Sequence, residues 1–147
     1  MLSNTCKYAI RALIYLAKNG KDGKKIGIKR ISEDLTIPSP FLGKILQSLA
    51  KQKVLVSTKG PHGGFGMGMS PDEIRLYDIV HIIDGDDFFT NCLIGMEPCN
   101  NTSEAAHRCP VHSRFSPIKK EITNLFMETT ITSILEDMDE ENEFIRL

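Results

Sequence analysis

Apolar side chains recur at helical spacing in three stretches of the first fifty residues. The first stretch follows three candidate caps, Ser3, Asn4 and Thr5, and stops at Asn19-Gly20, and the second is centred on Ile31. In the third stretch Ser39 can serve as the N-cap, and Pro40 suits the first helical position, where a missing N–H costs nothing. The pattern predicts three helices, with the first packed across the other two.

The third stretch is followed by the pattern of a short hairpin. Val54 to Val56 form a β-branched-rich run, residues 59–64 can only turn, and Phe65, Met67 and Met69 alternate with glycine. Three helices and a hairpin are typical of a winged helix-turn-helix, whose third helix enters a DNA major groove and whose hairpin, the wing, meets the backbone or minor groove. We therefore expect a mainly α fold with a small β-hairpin wing.

Charge is distributed unevenly along the chain, although the formal net charge is only −1. Residues 1–70 hold 12 Lys and Arg, several of them in a basic turn at residues 21–25, and only three acidic residues, which gives a charge of +9. The remainder carries −10. A half this basic favours a polyanionic partner. We predict that residues 1–70 form the winged helix-turn-helix domain and bind a double-stranded DNA operator.

The polar side of the third helix and the basic residues around it are the candidate DNA contacts. Lys44 and Gln47 are expected at base edges, and the other basic residues at phosphates. Gly43 is explained either by close approach of its backbone to DNA or as a tolerated helix defect, and His62 either by entry into the minor groove or by solvation. The predicted DNA-binding residues are Lys29, Arg30, Ser39, Gly43, Lys44, Gln47, Lys51, Lys53, Lys59 and His62.

Residues 71–147 are predicted to form a dimerisation region with a long C-terminal helix. A fourth helix begins at Leu76, a cysteine-bearing loop occupies residues 86–112, and the C-terminal helix restarts at Ser116. From Ile131 the chain would continue this helix or fold back. An apolar stripe on the C-terminal helix is too narrow to be buried inside one domain, and it suits the partner helix of a homodimer. The stripe consists of Ile118, Ile122, Leu125 and Phe126.

Three of the four cysteines, Cys92, Cys99 and Cys109, lie in the loop, and His112 follows closely. The chain lacks a signal-peptide pattern and an apolar run long enough to cross a bilayer, which predicts a cytoplasmic protein without a membrane partner. In the cytoplasm, clustered cysteines favour metal or redox chemistry over structural disulfides. Thiolates on an irregular loop are typical of iron–sulfur clusters. Zinc held by three Cys and one His, or three unrelated thiols, are the alternatives.

The sequence does not predict an enzyme or a small-molecule substrate. No nucleophile–base pair stands out, and the glycine-rich residues 60–68 lack the Gly-Lys-Ser/Thr ending of a phosphate loop. An iron–sulfur carrier or electron-transfer protein without a DNA role is a second hypothesis. A carrier needs neither a wing nor a basic first half, so these two features favour a DNA-binding regulator.

Several stretches taken together resemble the IscR/NsrR/CymR family of bacterial winged-helix regulators, the Rrf-two family. They are Lys7 to Leu13, the wing turn from Lys59 to Phe65, Leu76 to Val80, and the cysteine loop. The resemblance runs from about Tyr8 to Leu135. It implies a homodimer formed through the C-terminal helix and a [2Fe–2S] or [4Fe–4S] cluster on the three loop cysteines and a fourth, variable ligand. Such members sense cluster supply, nitric oxide or redox state.

Two residues are candidates for the fourth ligand. We predict His112, because closing a short loop from Cys109 costs less entropy than recruiting a distant group. The alternative is Cys6 of the partner subunit, at the start of the first helix, where the helix dipole can lower a thiol pKa. Cys6 can also be a structural thiol, since free Cys is often buried. A cluster-free thiol-switch regulator of the same family is the runner-up function.

Overall fold

The computed structural model describes residues 2–94 and 110–138 of the chain. These two segments are mainly helical with one two-stranded antiparallel hairpin, so the predicted fold class is confirmed. The α-helices and strands of the described segments are α1 Asn4–Asn19, α2 Ile28–Leu35, α3 Ser39–Lys51, β1 Leu55–Thr58, β2 Gly64–Met67, α4 Leu76–Ile83, α5 Asp87–Thr90, α6 His112–Glu128 and α7 Ile131–Asp137, and a 3-10 turn at Lys21–Gly23 follows α1.

The predicted limits of the first helix are confirmed, but the start of the third is shifted by one residue. Ser3 caps α1, because its hydroxyl accepts the N–H of Cys6 at 3.0 Å. The N-cap of α3 is Pro38, and Ser39 is already helical. The carbonyl of Pro38 accepts the N–H groups of Phe41 and Leu42 at 3.1 and 2.9 Å. Since the backbone itself satisfies these donors, α3 begins without a side-chain cap.

The wing contains a third segment that the sequence pattern did not indicate. β1 begins one residue later than predicted and pairs with β2 in the register Leu55↔Met67 and Ser57↔Phe65. Ile26 pairs with Phe65 on the other edge of β2, through two N–H···O bonds of 2.9 Å. The segment before α2 is therefore fixed to the wing.

One hydrophobic core joins the two predicted regions. The buried face of α1, around Leu13 and Leu16, packs against α3, α4 and α7. Val80 of α4 and Ile131 of α7 are fully buried in the same cluster. The boundary predicted at residue 70 therefore does not separate two cores.

The second half differs from the sequence expectation at α5 and at the start of α6, and at Thr130 it follows one of the two expected paths. A short helix, α5, lies where an irregular loop was expected, because Phe89 turns into the core. α6 begins at His112 and continues through Pro117, so proline neither starts nor stops it. The chain folds back at Thr130, which caps α7 by accepting the N–H of Ser133 at 3.1 Å. No helix within residues 2–94 and 110–138 combines the length and apolar character needed to span a membrane.

Candidate nucleic-acid interface and cysteine segment

The outer side of α3 is polar and accessible, whereas its inner side is in the core. Leu42 and Leu46 are fully buried, while Lys44, Gln47 and Lys51 are at least partly exposed. Their spacing places the polar residues on one side of the helix. Ser39 lies half-buried at the start of this helix. The helix is thus supported from behind and presents polar side chains outward, as a recognition helix must.

Arg30 on α2 is held by a neighbouring acid but remains accessible. Its Nε lies 3.8 Å from Asp34 Oδ2, and its side chain is 69% exposed. Asp34 also accepts a hydrogen bond from the hydroxyl of Tyr15. Burial, followed by this bond, raises the pKa of Tyr15. Lys29, beside Arg30, is exposed, so both cations of α2 are accessible to phosphates.

Gly43 faces α2. A Cβ added there would lie 3.1 Å from Cδ1 of Ile28, so glycine permits the close packing of α2 against α3. This contact explains why a glycine stands inside α3, and neither interpretation of the sequence included it. Contact between its backbone and DNA stays a prediction.

The wing tip is formed by backbone geometry that suits glycine. Gly60 has φ +109°, and the carbonyl of Gly60 accepts the N–H of Gly63 at 2.9 Å. Gly64 has φ +150°, and a Cβ there would overlap the carbonyl oxygen of Ile26. Lys59 and His62 are exposed on this tip. The turn therefore fixes both residues at the end of the wing.

Lys53 connects α3 to the wing in a left-handed conformation, with φ 62°. Its N–H donates to the carbonyl of Ala50 at 3.0 Å, and its side chain is exposed. A non-glycine residue in this region is uncommon and carries a cost in conformational energy. Lys53 is thus placed at the junction of the predicted recognition helix and the wing.

The structure places two of the predicted cluster ligands at the ends of neighbouring helices. Cys92 is half-buried just after α5, and His112 is half-buried as the first residue of α6. Cys99 and Cys109 lie outside the described residues. Within residues 2–94 and 110–138, no group of three or more His, Cys, Asp or Glu is arranged to hold a metal ion. Thiolate and imidazole are nevertheless donors that iron accepts, so the donor chemistry fits an iron–sulfur cluster.

Lys119 is a residue of this region that the sequence analysis missed. Its ammonium donates to the carbonyl oxygens of Thr90 and Asn91 at 3.3 and 3.5 Å. It also lies 5.9 Å from the centroid of the Phe115 ring. The contact fixes α6 to the backbone immediately before Cys92. No local pattern indicates it, because 28 residues separate Lys119 from Asn91.

Aromatic side chains hold α5 between α4 and α6. Phe89 stacks on Tyr77 of α4 with centroids 4.6 Å apart, and it meets Phe126 of α6 at 5.5 Å. Phe88 lies 5.4 Å from the same ring of Phe126. Phe126 therefore contributes to the core of its own chain, in contrast to its predicted place in a dimer stripe.

Cys6 is a buried thiol, which agrees with the structural interpretation of this residue, and its pKa is not lowered by the helix dipole. Its exposed fraction is 0%. Burial, reinforced by the carboxylate of Asp84, raises the pKa of Cys6 from 9.0 to about 12. The charged form that binds metal is thus disfavoured. These observations argue against Cys6 of the partner subunit as the fourth ligand.

The recognition helix is supported by the core, the wing turn is built from glycines, and exposed cations lie on the helix and on the wing. These features define a winged helix-turn-helix protein. The model of the Rrf2 family, described as "Iron-dependent Transcriptional regulator", matches residues 2–137. The chain belongs to this family of transcriptional regulators. The resemblance seen in the sequence is thereby confirmed, as is the expectation that the protein is not an enzyme, because the family is one of regulators.

Individual relatives agree with the family. A chain of Aquifex aeolicus (strain VF5), named as a candidate HTH-type transcriptional regulator, is 33% identical over 135 residues, covering 92% of this chain and 91% of that protein. The HTH-type transcriptional regulator IscR of Aliivibrio salmonicida (strain LFI1238) is 25% identical over 136 residues, covering 92% and 77%. The structure of CymR, the global cysteine regulator of B. subtilis, matches with a TM-score of 0.74 and 19% identity over 95% of this chain and 98% of that chain.

Proposed function

We propose that this protein is a cytoplasmic, homodimeric regulator whose affinity for an operator is controlled by an iron–sulfur cluster bound through Cys92, Cys99, Cys109 and His112. The observation that carries the proposal is the junction of α5 and α6. Cys92 follows α5 and His112 opens α6, and Lys119 binds the two helices together. The description of the matching family as an iron-dependent regulator supports an iron-containing cofactor at Cys92 and His112.

The DNA-binding part of the proposal rests on the exposed cations of α2, α3 and the wing. In a dimer, the two copies of α3 would read half-sites about one helical turn, or a multiple of it, apart. Lys44 and Gln47 would reach base edges, and the other cations would neutralise phosphates. Ser39, Gly43 and His62 are proposed at the edges of this contact.

An exposed apolar seam on α6 supports the homodimer. Ile118 and Leu125 are 53% and 59% exposed. They are separated by seven residues, with the half-buried Ile122 between them, so the three share one side of the helix. A second copy of the same helix would cover this seam.

Side-chain contacts connect α5, which precedes Cys92, to the DNA-binding domain. When bound, the cluster would supply a centre that responds to oxidants, nitric oxide or iron supply. Phe89 of α5 stacks on Tyr77 of α4, and Asp84 at the end of α4 binds Ser3 at the start of α1. A change in the position of α5 would therefore reach α1, on which α3 packs.

The test of the cluster is anaerobic purification and reconstitution, followed by an absorbance spectrum and assays of iron and sulfide. Cys92→Ser, Cys99→Ser and Cys109→Ser should each lose the cluster, whereas Cys6→Ala is the control and should keep it. His112→Ala should alter the spectrum. Because protons compete with the metal for the imidazole nitrogen, the wild-type cluster should be retained at pH 8 and lost faster in acid than at pH 8.

Three outcomes contradict parts of this proposal. Unchanged metal content in all three loop-cysteine variants would exclude the cluster. Bound zinc without sulfide would indicate a zinc site instead. If no metal binds and reversible oxidation of the loop cysteines changes DNA affinity, the protein is a cluster-free thiol switch.

The test of DNA binding is the dependence of affinity on salt. Lys59→Ala should weaken binding to all sequences equally and lower the slope of log K against log salt by about 1. Lys44→Ala should change the preference at one base position by roughly 1–3 kcal/mol. If the wild-type protein shows no salt-dependent binding with or without its cluster, the regulator function is wrong.

A further inference from the structure

The basic turn between α1 and α2 has no part in the function proposed so far. It carries Lys21, Lys24 and Lys25 against one acid, Asp22. The turn is tight, because Asp22 and Gly23 both have left-handed backbones, with φ 63° and 73°. Lys21 and Lys24 are exposed, and Lys25 is half-buried. This excess of lysine gives the turn a positive charge, which would favour contact with an anionic partner.

The structure places this turn against the wing. Ile26 pairs with Phe65 through two backbone hydrogen bonds of 2.9 Å, so the residues before Ile26 run along the free edge of β2. A Cβ at Gly64 would overlap the Ile26 carbonyl, and one at Gly66 would lie 3.3 Å from Cγ of Lys25. Two glycines of β2 therefore make room for the basic turn and for the aliphatic stem of Lys25.

The ammonium of Lys25 reaches the far strand of the wing. It donates to the hydroxyl of Thr58, the last residue of β1 and the neighbour of Lys59. An ammonium has three N–H donors, so this bond leaves two for another acceptor. Lys25 thus brings a second positive charge near Lys59 at the base of the wing tip.

We propose that the turn and the wing form one phosphate-binding surface, in which Lys24 and Lys25 contact the DNA backbone beside the wing. Lysine is a compact point charge that suits phosphate without reading sequence. Lys29, at the start of α2, follows Lys25 by four residues, so the surface continues from the wing to α2. The proposal rests on the DNA-binding function above and extends its footprint.

The test compares charge-neutralising variants of the full chain on one operator duplex and one random duplex over a range of salt. Lys24→Gln and Lys25→Gln should each reduce the magnitude of the salt slope by about 0.9 for every phosphate that the variant no longer neutralises. Both should weaken binding to the two duplexes by the same factor. Lys25→Arg keeps the charge and should retain the wild-type slope.

Lys120→Gln is the matched control. It makes the same charge change at an exposed site of α6, outside the basic residues 1–70. It should leave the slope unchanged. If Lys24→Gln and Lys25→Gln match this control, the proposed surface is wrong. A loss confined to the operator duplex would also overturn it, because phosphate contacts are blind to sequence. Failure of the wild-type protein to bind DNA would instead refute the proposed function itself.

Discussion

The carboxylate of Asp84 accepts hydrogen bonds from both the backbone N–H and the hydroxyl of Ser3, 81 residues away. The N–H bond is 2.9 Å long. The same hydroxyl of Ser3 accepts the N–H of Cys6, so an acid at the end of α4 completes the cap of α1. A negative charge at a helix N-terminus is favourable because unpaired N–H groups are concentrated there.

This contact predicts a coupled loss of stability. Asp84→Ala and Ser3→Ala should each lower the free energy of unfolding by about 1 kcal/mol. Because the two side chains act on each other, the double variant should lose less than the sum. Denaturant titrations of the four proteins measure the difference. Additive losses would show that the pair is not coupled, and Glu73→Ala, at an exposed site, is the control and should have little effect.

The raised pKa of Cys6 predicts how stability depends on pH. Cys6 ionises near 9.0 in the unfolded chain and near 12 in the fold. Its contribution is therefore complete below pH 9 and is lost as pH rises towards 12, with a slope approaching about 1.4 kcal/mol per pH unit. The raised pKa of Tyr15 acts in the same direction. Cys6→Ala should have a shallower slope between pH 9 and 11, and equal slopes would contradict the burial effect.

Gly43→Ala separates packing from DNA contact. Alanine in a helix interior gains about 1 kcal/mol over glycine. The added methyl would press on Cδ1 of Ile28, the end of a flexible side chain, so we expect stability to rise or stay level. If DNA affinity then falls, the backbone approaches DNA closely. Unchanged affinity would show that the backbone at Gly43 makes no close contact with DNA.

If the apolar seam on α6 forms the dimer interface, charged residues introduced there should disrupt the dimer. Ile118→Asp combined with Leu125→Asp should produce monomers, because carboxylates would enter an apolar interface. Sedimentation measures the assembly, and DNA binding should weaken strongly since two half-sites act together. Lys120→Glu, exposed on the opposite side of the same helix, is the control. Phe126 is unsuitable for this test because it contacts the aromatic rings of α5 in its own chain. An unchanged dimer would move the interface elsewhere.

We expect Lys119 to stabilise the backbone just before Cys92 and, through it, the proposed cluster. Lys119→Met should shorten cluster retention after anaerobic reconstitution, because the carbonyls of Thr90 and Asn91 lose their cationic partner. Lys120→Met makes the same change one residue away and should behave as wild type. Iron release to a chelator measures retention. Equal rates in the two variants would show that Lys119 does not support this site.

Local sequence patterns determined much of this protein. The spacing of apolar residues, the candidate caps at residues 3–5 and the stop at Gly20 placed α1 correctly, because all of them act within a few residues. The glycines of residues 60–64 predicted the wing turn for the same reason, since a left-handed backbone is a local demand. The division of charge also depends on the sequence alone.

Contacts between distant residues could be decided only by the tertiary structure. The pKa of Cys6 depends on burial in the core and on Asp84, and the reason for Gly43 depends on where Ile28 packs. Lys119 meets the residues before Cys92, and Lys25 meets Thr58, across 28 and 33 residues. The spacing of apolar residues and the helix caps carry no information about such pairs. These pairs arise from how helices and strands pack after each has formed.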